Sequence, residues 1–258
     1  MVDCVVAHQG IVSKYVKHFD FMGKYSLKEY TDNKAPVVVF GIYDINIINF
    51  KTHKGPIILR WCGEDARMQV NNYHLFKRDN IVNVTPLPPV KKFLNDRGVD
   101  CLLMKPVVTE GAKPLKKGAS VYIYLNHYKP KYHGSEIVRE LEKEYPFIIG
   151  DFSVPTDKWK AGECDQYYSQ SFIGLFISDY AGGGGGIVEM GLRGIPVVTN
   201  VLSLPHCMPW QSIKDIKECI NKESRNIGTS DPELAHDVEA CLVKSSTLDG
   251  FELDKLLI

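Results

Sequence analysis

Short runs of apolar residues alternate along the chain with longer segments whose apolar positions recur every three or four residues. The runs are rich in Val, Ile and Phe and predict buried β-strands at 37–42, 56–61, 81–85, 101–108, 120–125, 147–150, 172–178 and 195–199. The periodic segments predict helices at 44–51, 89–96, 135–145, 165–171 and 185–193. Strands that alternate with helices form parallel sheets covered on both faces, so the pattern predicts an α/β protein.

A polar segment, Glu110–Gly118 (EGAKPLKKG), separates two such alternating blocks and predicts a linker. We therefore expect two Rossmann-like lobes, residues 1–112 and 113–258, with parallel sheets and a cleft between them. The second lobe ends in a helical tail. Ser212 with Asp215 predicts a capping box there, and Asp231 followed by Pro232 predicts the start of a second helix. Ligands of such sheets bind beyond the carboxyl ends of the strands.

Composition and charge narrow the class of partner. The chain has 31 Lys plus Arg and 31 Asp plus Glu, a balance that argues against a general electrostatic grip on nucleic acid. Its longest apolar runs are strand-sized, far below the ~20 residues of a membrane span, and its start lacks a signal-peptide pattern. Seven scattered cysteines suit reduced thiols and lack the spacing of a zinc site. We expect a cytoplasmic protein with no transmembrane segment, nucleic-acid partner or metal; a peripheral membrane association stays open.

Five successive glycines, Gly182–Gly186, stand between the predicted strand 172–178 and the helix that follows. Without β-carbons, their amides can approach a ligand closely, and the helix start favours phosphate oxygens. The alternative is a flexible loop without a ligand. A P-loop is excluded because no Gly-Lys-Ser/Thr follows, and a dinucleotide fingerprint lacks its acid at the end of the next strand.

Three residues past the glycines, Glu189 can accept hydrogen bonds from a ribose hydroxyl pair; the alternative is a solvated helix glutamate.

The segment that begins at Glu189, EMGLRGIPVV, resembles the Glu-Ala-Met-Ala-x-Gly-x-Pro-Val-Val signature of retaining glycosyltransferases of the GT-B fold, family 4 or group 1. The resemblance implies that Glu189 binds the ribose of a nucleotide-sugar donor. It implies that the preceding loop binds the diphosphate and sugar; this loop contains Asp179, Tyr180, Gly182, Gly183, Gly184, Gly185 and Gly186. The family usually has a second glutamate eight residues earlier, where this chain has Ala181.

Two further loops of the second block fit the same resemblance. Residues 126–134 (NHYKPKYHG) resemble the family's first loop of the C-terminal lobe, which implies diphosphate contacts from Asn126, Lys129 and Lys131. Two cations on a diphosphate can replace a metal ion, so the lack of an Asp-x-Asp motif is expected. The alternative is a basic surface loop. The loop after strand 147–150 implies nucleobase contacts from Phe152 and Val154.

In the first block, the segment from Arg60 to Ala66 (RWCGEDA) resembles the Trp-x-Gly-Ser-Asp-Ala segment in N-terminal lobes of related transferases. The resemblance implies that Glu64 or Asp65 faces the acceptor. The alternative is an aspartate that caps a helix start.

Together these features predict a retaining, hexosyltransferase-like enzyme. It would move a sugar from a nucleoside-diphosphate sugar to a hydroxyl of a glycan, lipid or small-molecule acceptor, without a cofactor. Two alternatives stay open. A nucleotide-sugar epimerase shares the fold but needs additional acid/base carboxylates. A non-catalytic nucleotide-sugar-binding module is favoured by Ala181 and by the short first lobe.

Overall fold

The structure, a computed structural model, describes residues 4–7, 28–30, 33–108, 111–125, 131–151, 163–178, 180 and 184–244. The chain divides into two compact units, Met1–Glu110 with Leu242–Ile258, and Gly111–Cys241. Residues 242–244 therefore belong to the first unit, whereas the sequence pattern assigned them to the second. The reason is a strand pair: Val243–Lys244 lies parallel to Val107–Val108 in a separate two-stranded sheet.

The first unit contains a six-stranded sheet, and every strand pair in it is parallel. Its order is β2-β1-β3-β4-β5-β6, with strands β1 Cys4–Ala7, β2 Lys28–Glu29, β3 Val37–Phe40, β4 Ile57–Arg60, β5 Ile81–Thr85 and β6 Cys101–Leu103. The pair outside this sheet is β7 Val107–Val108 and β13 Val243–Lys244. The helices are α1 Glu64–Met68 and α2 Pro88–Asn95, with a 3-10 helix at Val70–Leu75.

Trp61 anchors the core of the first unit. Its ring is fully buried and packs edge-on against Phe76, with 5.2 Å between ring centroids. Its indole N–H donates to Asn83 Oδ1 at 3.1 Å, so the one polar atom of the side chain is satisfied. The four residues of β3 are equally buried, which explains why the Val-rich run in the sequence forms a central strand.

The helix predicted at 44–51 is wrong, because these residues form turns. Asp44 Oδ1 accepts the backbone N–H of Asn46 at 2.9 Å, and Asn49 Oδ1 accepts the N–H of Lys51 at 3.2 Å. Short polar side chains that bond nearby backbone groups favour turns over helix.

The second unit contains a five-stranded sheet whose pairs are also all parallel. Its order is β12-β11-β10-β8-β9, with strands β8 Ser120–Leu125, β9 Phe147–Asp151, β10 Ser171–Phe176, β11 Val197–Thr199 and β12 Cys207–Met208. Its helices are α3 Ser135–Leu141, α4 Glu163–Tyr168, α5 Gly184–Leu192, α6 Ile213–Glu223 and α7 Pro232–Ala240, with short 3-10 helices at Lys131–His133 and Ser224–Asn226. Two parallel sheets with helices between their strands confirm the predicted fold class.

Glycines allow helix α5 to pack close to strand β10 and to His206. A β-carbon on Gly174 would stand 2.5 Å from Met190 Sδ, and one on Gly191 would stand 2.5 Å from the ring of His206. Gly194, at φ 72°, ends the helix in a left-handed conformation that other residues rarely adopt.

The predicted tail helices and their caps are present. Ser212 Oγ accepts the N–H of Asp215 at 3.3 Å while Asp215 Oδ2 accepts the N–H of Ser212 at 2.9 Å, which completes the capping box of α6. Asp231 Oδ1 accepts the N–H of Leu234 at 3.0 Å and caps α7. No helix in the described part of the chain has the length and apolarity of a membrane span; α6, with 11 residues, compares with the ~20 required.

The described part of the predicted linker, 111–118, is bonded along the second unit. The N–H of Lys113 donates to the carbonyl of Leu192 at 2.8 Å, and the N–H of Lys117 donates to that of Thr229 at 2.7 Å. The buried Lys117 ammonium also lies 3.7 Å from Asp231 Oδ2. This segment is therefore part of the second unit and is held there by backbone hydrogen bonds. Its polar composition does not reveal these bonds.

Candidate functional site

The order of strands in the second sheet creates a switch point between β8 and β10. The chain passes from β8 to β9 on one side of β8, and then to β10 on the other side. The connections that leave β8 and β10 therefore diverge at the carboxyl ends of two neighbouring strands. Open α/β sheets bind ligands at such a point. Both loops that the sequence associated with a diphosphate, 126–134 and 177–186, begin there.

The described parts of these two loops touch each other. Gly134, at φ 82°, packs so closely on the residue after β10 that a β-carbon would stand 3.0 Å from Ile177 Cβ. The ring of His133 meets Tyr124 edge-on at 5.0 Å, and Tyr124 stacks on Phe176 with 6.0 Å between centroids. Aromatic side chains of β8 and β10 thus connect the segment after β8 with the end of β10.

The first turn of α5 is made of Gly184, Gly185 and Gly186. The first backbone N–H groups of a helix have no partner inside it, and they carry the positive end of the helix dipole. A β-carbon on Gly186 would stand 3.1 Å from the ring of Phe176, so this glycine allows the helix start to lie against β10. The arrangement suits an anion at the switch point.

Glu189 is half-buried on α5, and Tyr168 holds its carboxylate. The Tyr168 hydroxyl donates to Glu189 Oε2 at 2.9 Å. The Tyr168 ring is buried and packs edge-on against Tyr122 at 5.4 Å. Burial, and then the charge of Glu189, raise the pKa of Tyr168 well above its usual value, so the phenol stays protonated and donates. Tyr168 therefore restricts where the carboxylate can point.

Sequence reasoning missed Tyr168. It stands beside Tyr167 in α4, and nothing in the sequence separates the exposed tyrosine from the buried one. The only available signal was the helical spacing of α4, which specifies a buried face without naming what that face contacts.

Lys131 lies at the start of its 3-10 helix with its side chain exposed, and its ammonium is 3.4 Å from Glu136 Oε1. An ion pair this exposed contributes little, so it does not prevent the lysine from turning to a ligand.

Tyr180 is buried close after β10, and its backbone N–H donates to Ser178 Oγ at 3.4 Å. The other predicted donor contacts lie outside the described residues: Asn126, Lys129, Phe152, Val154, Asp179, Gly182 and Gly183.

In the first unit, Asp65 is fully buried at the start of α1. Its carboxylate accepts the backbone N–H groups of Ile42 at 3.1 Å, Cys62 at 3.1 Å and Gly63 at 2.7 Å. Burial raises the pKa of Asp65, and these backbone bonds oppose the rise. Asp65 therefore ties the loops after β3 and β4 together; the N-cap of α1 is Gly63, and the acceptor-side role of Asp65 stays a prediction. Glu64 beside it is half-buried and remains a predicted acceptor-side acid.

Among the described residues, no three His, Cys, Asp or Glu side chains gather as a metal site would require. Cys164 lies near Glu189 and Tyr168, but burial raises its pKa to about 12. It is therefore a neutral thiol and a poor nucleophile.

No protein-family model matches this chain, and no curated protein matches it in sequence. Solved structures do match it. TarM has a TM-score of 0.54 at 13% identity, over 86% of this chain and 52% of TarM. A sucrose-phosphate synthase from Thermosynechococcus elongatus has a TM-score of 0.50 at 11% identity, over 93% of this chain and 74% of that one. The pneumococcal O-GlcNAc transferase GtfA, solved with UDP and GlcNAc, has a TM-score of 0.48 at 13% identity, over 87% of this chain.

These matched structures are retaining glycosyltransferases. The chain has the GT-B fold. TarM and the synthase carry this conclusion, and at 11–13% identity they show the fold alone. The chain spans 56% of GtfA and 52% of TarM, about half the length of each.

Proposed function

We propose that this protein is a glycosyltransferase that moves a sugar from a nucleoside diphosphate to an acceptor hydroxyl, with retention and without a metal ion. The observation that supports it is the placement of the glycine-led helix α5 and of the Lys131–Gly134 segment at one switch point, between β8 and β10. The acceptor is a glycan, a lipid or a small molecule. Scattered free cysteines suit a reducing compartment, so we place the protein in the cytoplasm.

The proposed donor contacts are those that the resemblance implies. The first amides of α5, together with Lys129 and Lys131, hold the diphosphate, and Glu189 accepts hydrogen bonds from the ribose hydroxyls. The remaining predicted contacts are Asn126, Asp179, Tyr180, Gly182 and Gly183 for the diphosphate and sugar, and Phe152 and Val154 for the base. Glu64 faces the acceptor.

The chemistry then requires positioning and charge stabilisation, without a covalent residue. The bond from the anomeric carbon to the diphosphate oxygen breaks while the bond to the acceptor oxygen forms on the same face of the sugar. The acceptor proton passes to the leaving phosphate oxygen. Negative charge grows on the diphosphate, where backbone N–H groups and lysine ammonium groups stabilise it.

A thermal-shift screen tests the donor. We expect one nucleoside diphosphate and its nucleotide sugars to raise the melting temperature, because a ligand at 100 times its Kd adds about 2.7 kcal/mol to the free energy of unfolding. Release of that diphosphate, in the presence of an acceptor, then reports transfer. If no nucleoside diphosphate or nucleotide sugar stabilises the protein, the proposal is wrong.

A second candidate is a nucleotide-sugar-binding module without catalysis. Ala181 favours it, because this position holds the first glutamate of the family that the sequence resembles. The same screen separates the two functions. Stabilisation by a nucleotide sugar without turnover on any acceptor identifies the module.

A further inference from the structure

Arg60 lies at the carboxyl end of β4 in the first unit, outside the proposed donor site. The order β2-β1-β3 places a second switch point between β1 and β3, because β2 and β3 lie on opposite sides of β1. Arg60 is the last residue of β4, in register with Phe40, the last residue of β3. Its side chain therefore stands at the carboxyl edge of the sheet, one strand from the switch point, where such sheets bind ligands.

Two contacts hold the guanidinium at this edge. Its central carbon lies 5.4 Å from the centroid of the Phe40 ring, and Nη1 donates to Cys62 Sγ at 3.5 Å. Cys62 follows the strand, so the group points past the end of β4 and toward β3. An arginine restrained in this way loses less side-chain entropy when it binds a ligand.

Among the described residues, the charge of Arg60 lacks a counter-ion. Within the described ranges no carboxylate forms an ion pair with it, although the side chain is half-buried. Burial raises the pKa of Cys62 to about 12, so this thiol is neutral. The nearby carboxylate of Asp65 already accepts three backbone N–H groups. A partly desolvated cation without an anion is costly, and a ligand anion would remove that cost.

Other arginines of the chain differ in this respect. The buried Arg193 pairs with Asp165, with 2.8 Å between Nε and Oδ1. Arg78 donates to the backbone carbonyls of Phe50 and His53. Among these half-buried or buried arginines, Arg60 alone faces a strand end without an oxygen partner in the described structure.

We propose that Arg60 binds an oxyanion, a phosphate or a carboxylate, carried by the acceptor. Naming the bound molecule as the acceptor rests on the proposed function; the anion site itself does not. The planar fork of a guanidinium fits both groups with two parallel hydrogen bonds. The proposal narrows the acceptors to anionic sugars or other anionic hydroxyl compounds.

Calorimetric titration of the full chain with glucose 6-phosphate, glucuronate and glucose tests this. These probes share a hexose and differ in charge. We expect the phosphate or the carboxylate to bind more tightly than glucose, and the stronger of the two identifies the anion. Arg60→Gln should weaken that binding by about 10- to 100-fold, and Arg60→Lys, which keeps the charge without the fork, by less.

Arg97→Gln is the matched control. The Arg97 guanidinium also lies over a ring, 3.7 Å from the centroid of Phe93, but it precedes the amino end of β6, away from the carboxyl edge. It should leave anion binding unchanged. Circular dichroism verifies that each variant is folded, and Arg60→Lys provides the test if the glutamine variant is not.

The inference is overturned if neither anion binds more tightly than glucose, or if Arg60→Gln binds the anions as the parent does, since they would then occupy another site. The nucleotide screen keeps this failure distinct from failure of the transferase. Stabilisation by nucleotides without Arg60-dependent anion binding leaves the proposed function intact and removes the acceptor inference. Arg60-dependent binding in a chain that ignores nucleotides retains the anion site and removes the transferase.

Discussion

At the scale of single residues, the pair of Tyr168 and Glu189 matters most. A half-buried carboxylate that accepts a phenol O–H has a preferred direction, whereas a solvated glutamate does not. The pairing therefore argues against the solvated alternative, and it makes the proposed ribose contact open to direct measurement.

Glu189→Gln keeps the size of the side chain and removes its charge. We expect nucleoside-diphosphate binding to weaken by about 1–3 kcal/mol, since a hydrogen bond to a charged group contributes that much. Titration calorimetry measures the change. Glu218→Gln, on the exposed surface of α6, is the control and should cost far less. Equal affinity of the Glu189 variant and the parent would remove the ribose assignment.

Tyr168→Phe deletes only the hydroxyl that orients Glu189. We expect about 3- to 10-fold weaker binding of the ribonucleotide, with a smaller loss for its 2′-deoxy counterpart, because the effect acts through the ribose contact. Calorimetry with both nucleotides gives the ratio. Tyr167→Phe, on the exposed neighbour, should change neither affinity. A uniform loss for both nucleotides would mean that the hydroxyl does not act through the ribose contact.

At the scale of elements, the position of α5 depends on glycines, because these residues have no β-carbon. Gly174 on β10 and Gly191 on α5 leave room for Met190 and His206, so the helix packs close to the sheet. That closeness sets where its glycine-rich first turn meets the end of β10. Glycine thus serves close packing near the end of the helix, and we propose that the glycines of the first turn allow a ligand to approach.

Gly191→Ala tests the packing role. Alanine is favoured over glycine inside a helix by about 1 kcal/mol. Here its methyl group would overlap the ring of His206, and overpacking costs about 1–3 kcal/mol, so we expect net destabilisation. Urea unfolding measures it. In a His206→Ala background the same change should become neutral or stabilising; equal destabilisation in both backgrounds would contradict the clash.

At the scale of the whole molecule, the chain comprises two compact units, so unfolding can occur in more than one step. His206 gives the second unit a pH dependence of its own. Its Nε2 lies 2.8 Å from the carbonyl oxygen of Ile187, which only accepts, so Nε2 carries the proton. Its Nδ1 has no hydrogen-bond partner in the described structure. Burial lowers the pKa of His206 from 6.5 to about 4.

The unfolded chain therefore binds a proton at His206 more readily than the folded chain does. Stability from this group is present above pH 6.5 and is lost as the pH falls toward 4. The loss amounts to about 3–4 kcal/mol at most, since one pKa unit corresponds to about 1.4 kcal/mol. Urea unfolding between pH 7 and 4 should show this slope, and His206→Asn should reduce it.

His236→Asn is the control, because this histidine is exposed on α7 and its removal should leave the slope nearly unchanged. An unchanged slope in His206→Asn would show that other groups cause the acid sensitivity.

The sequence by itself determined the fold class, the glycine-led helix and most of the strands; β1, β2, β12 and β13 were not predicted. Each depends on local periodicity and on residue types such as Val and Gly, and β5 and β8 have the predicted bounds. The local pattern also gave a wrong prediction, the helix at 44–51, where Asp and Asn side chains favour turns.

Only the tertiary structure decided which loops meet and which polar groups are paired. The contact of Gly134 with Ile177, the bond from Tyr168 to Glu189, the bonds that bury Asp65 and the contact of Arg60 with Phe40 all join residues from different elements. Such contacts depend on strand order and on the distance between elements. Neither quantity is encoded in the spacing of residues along one segment.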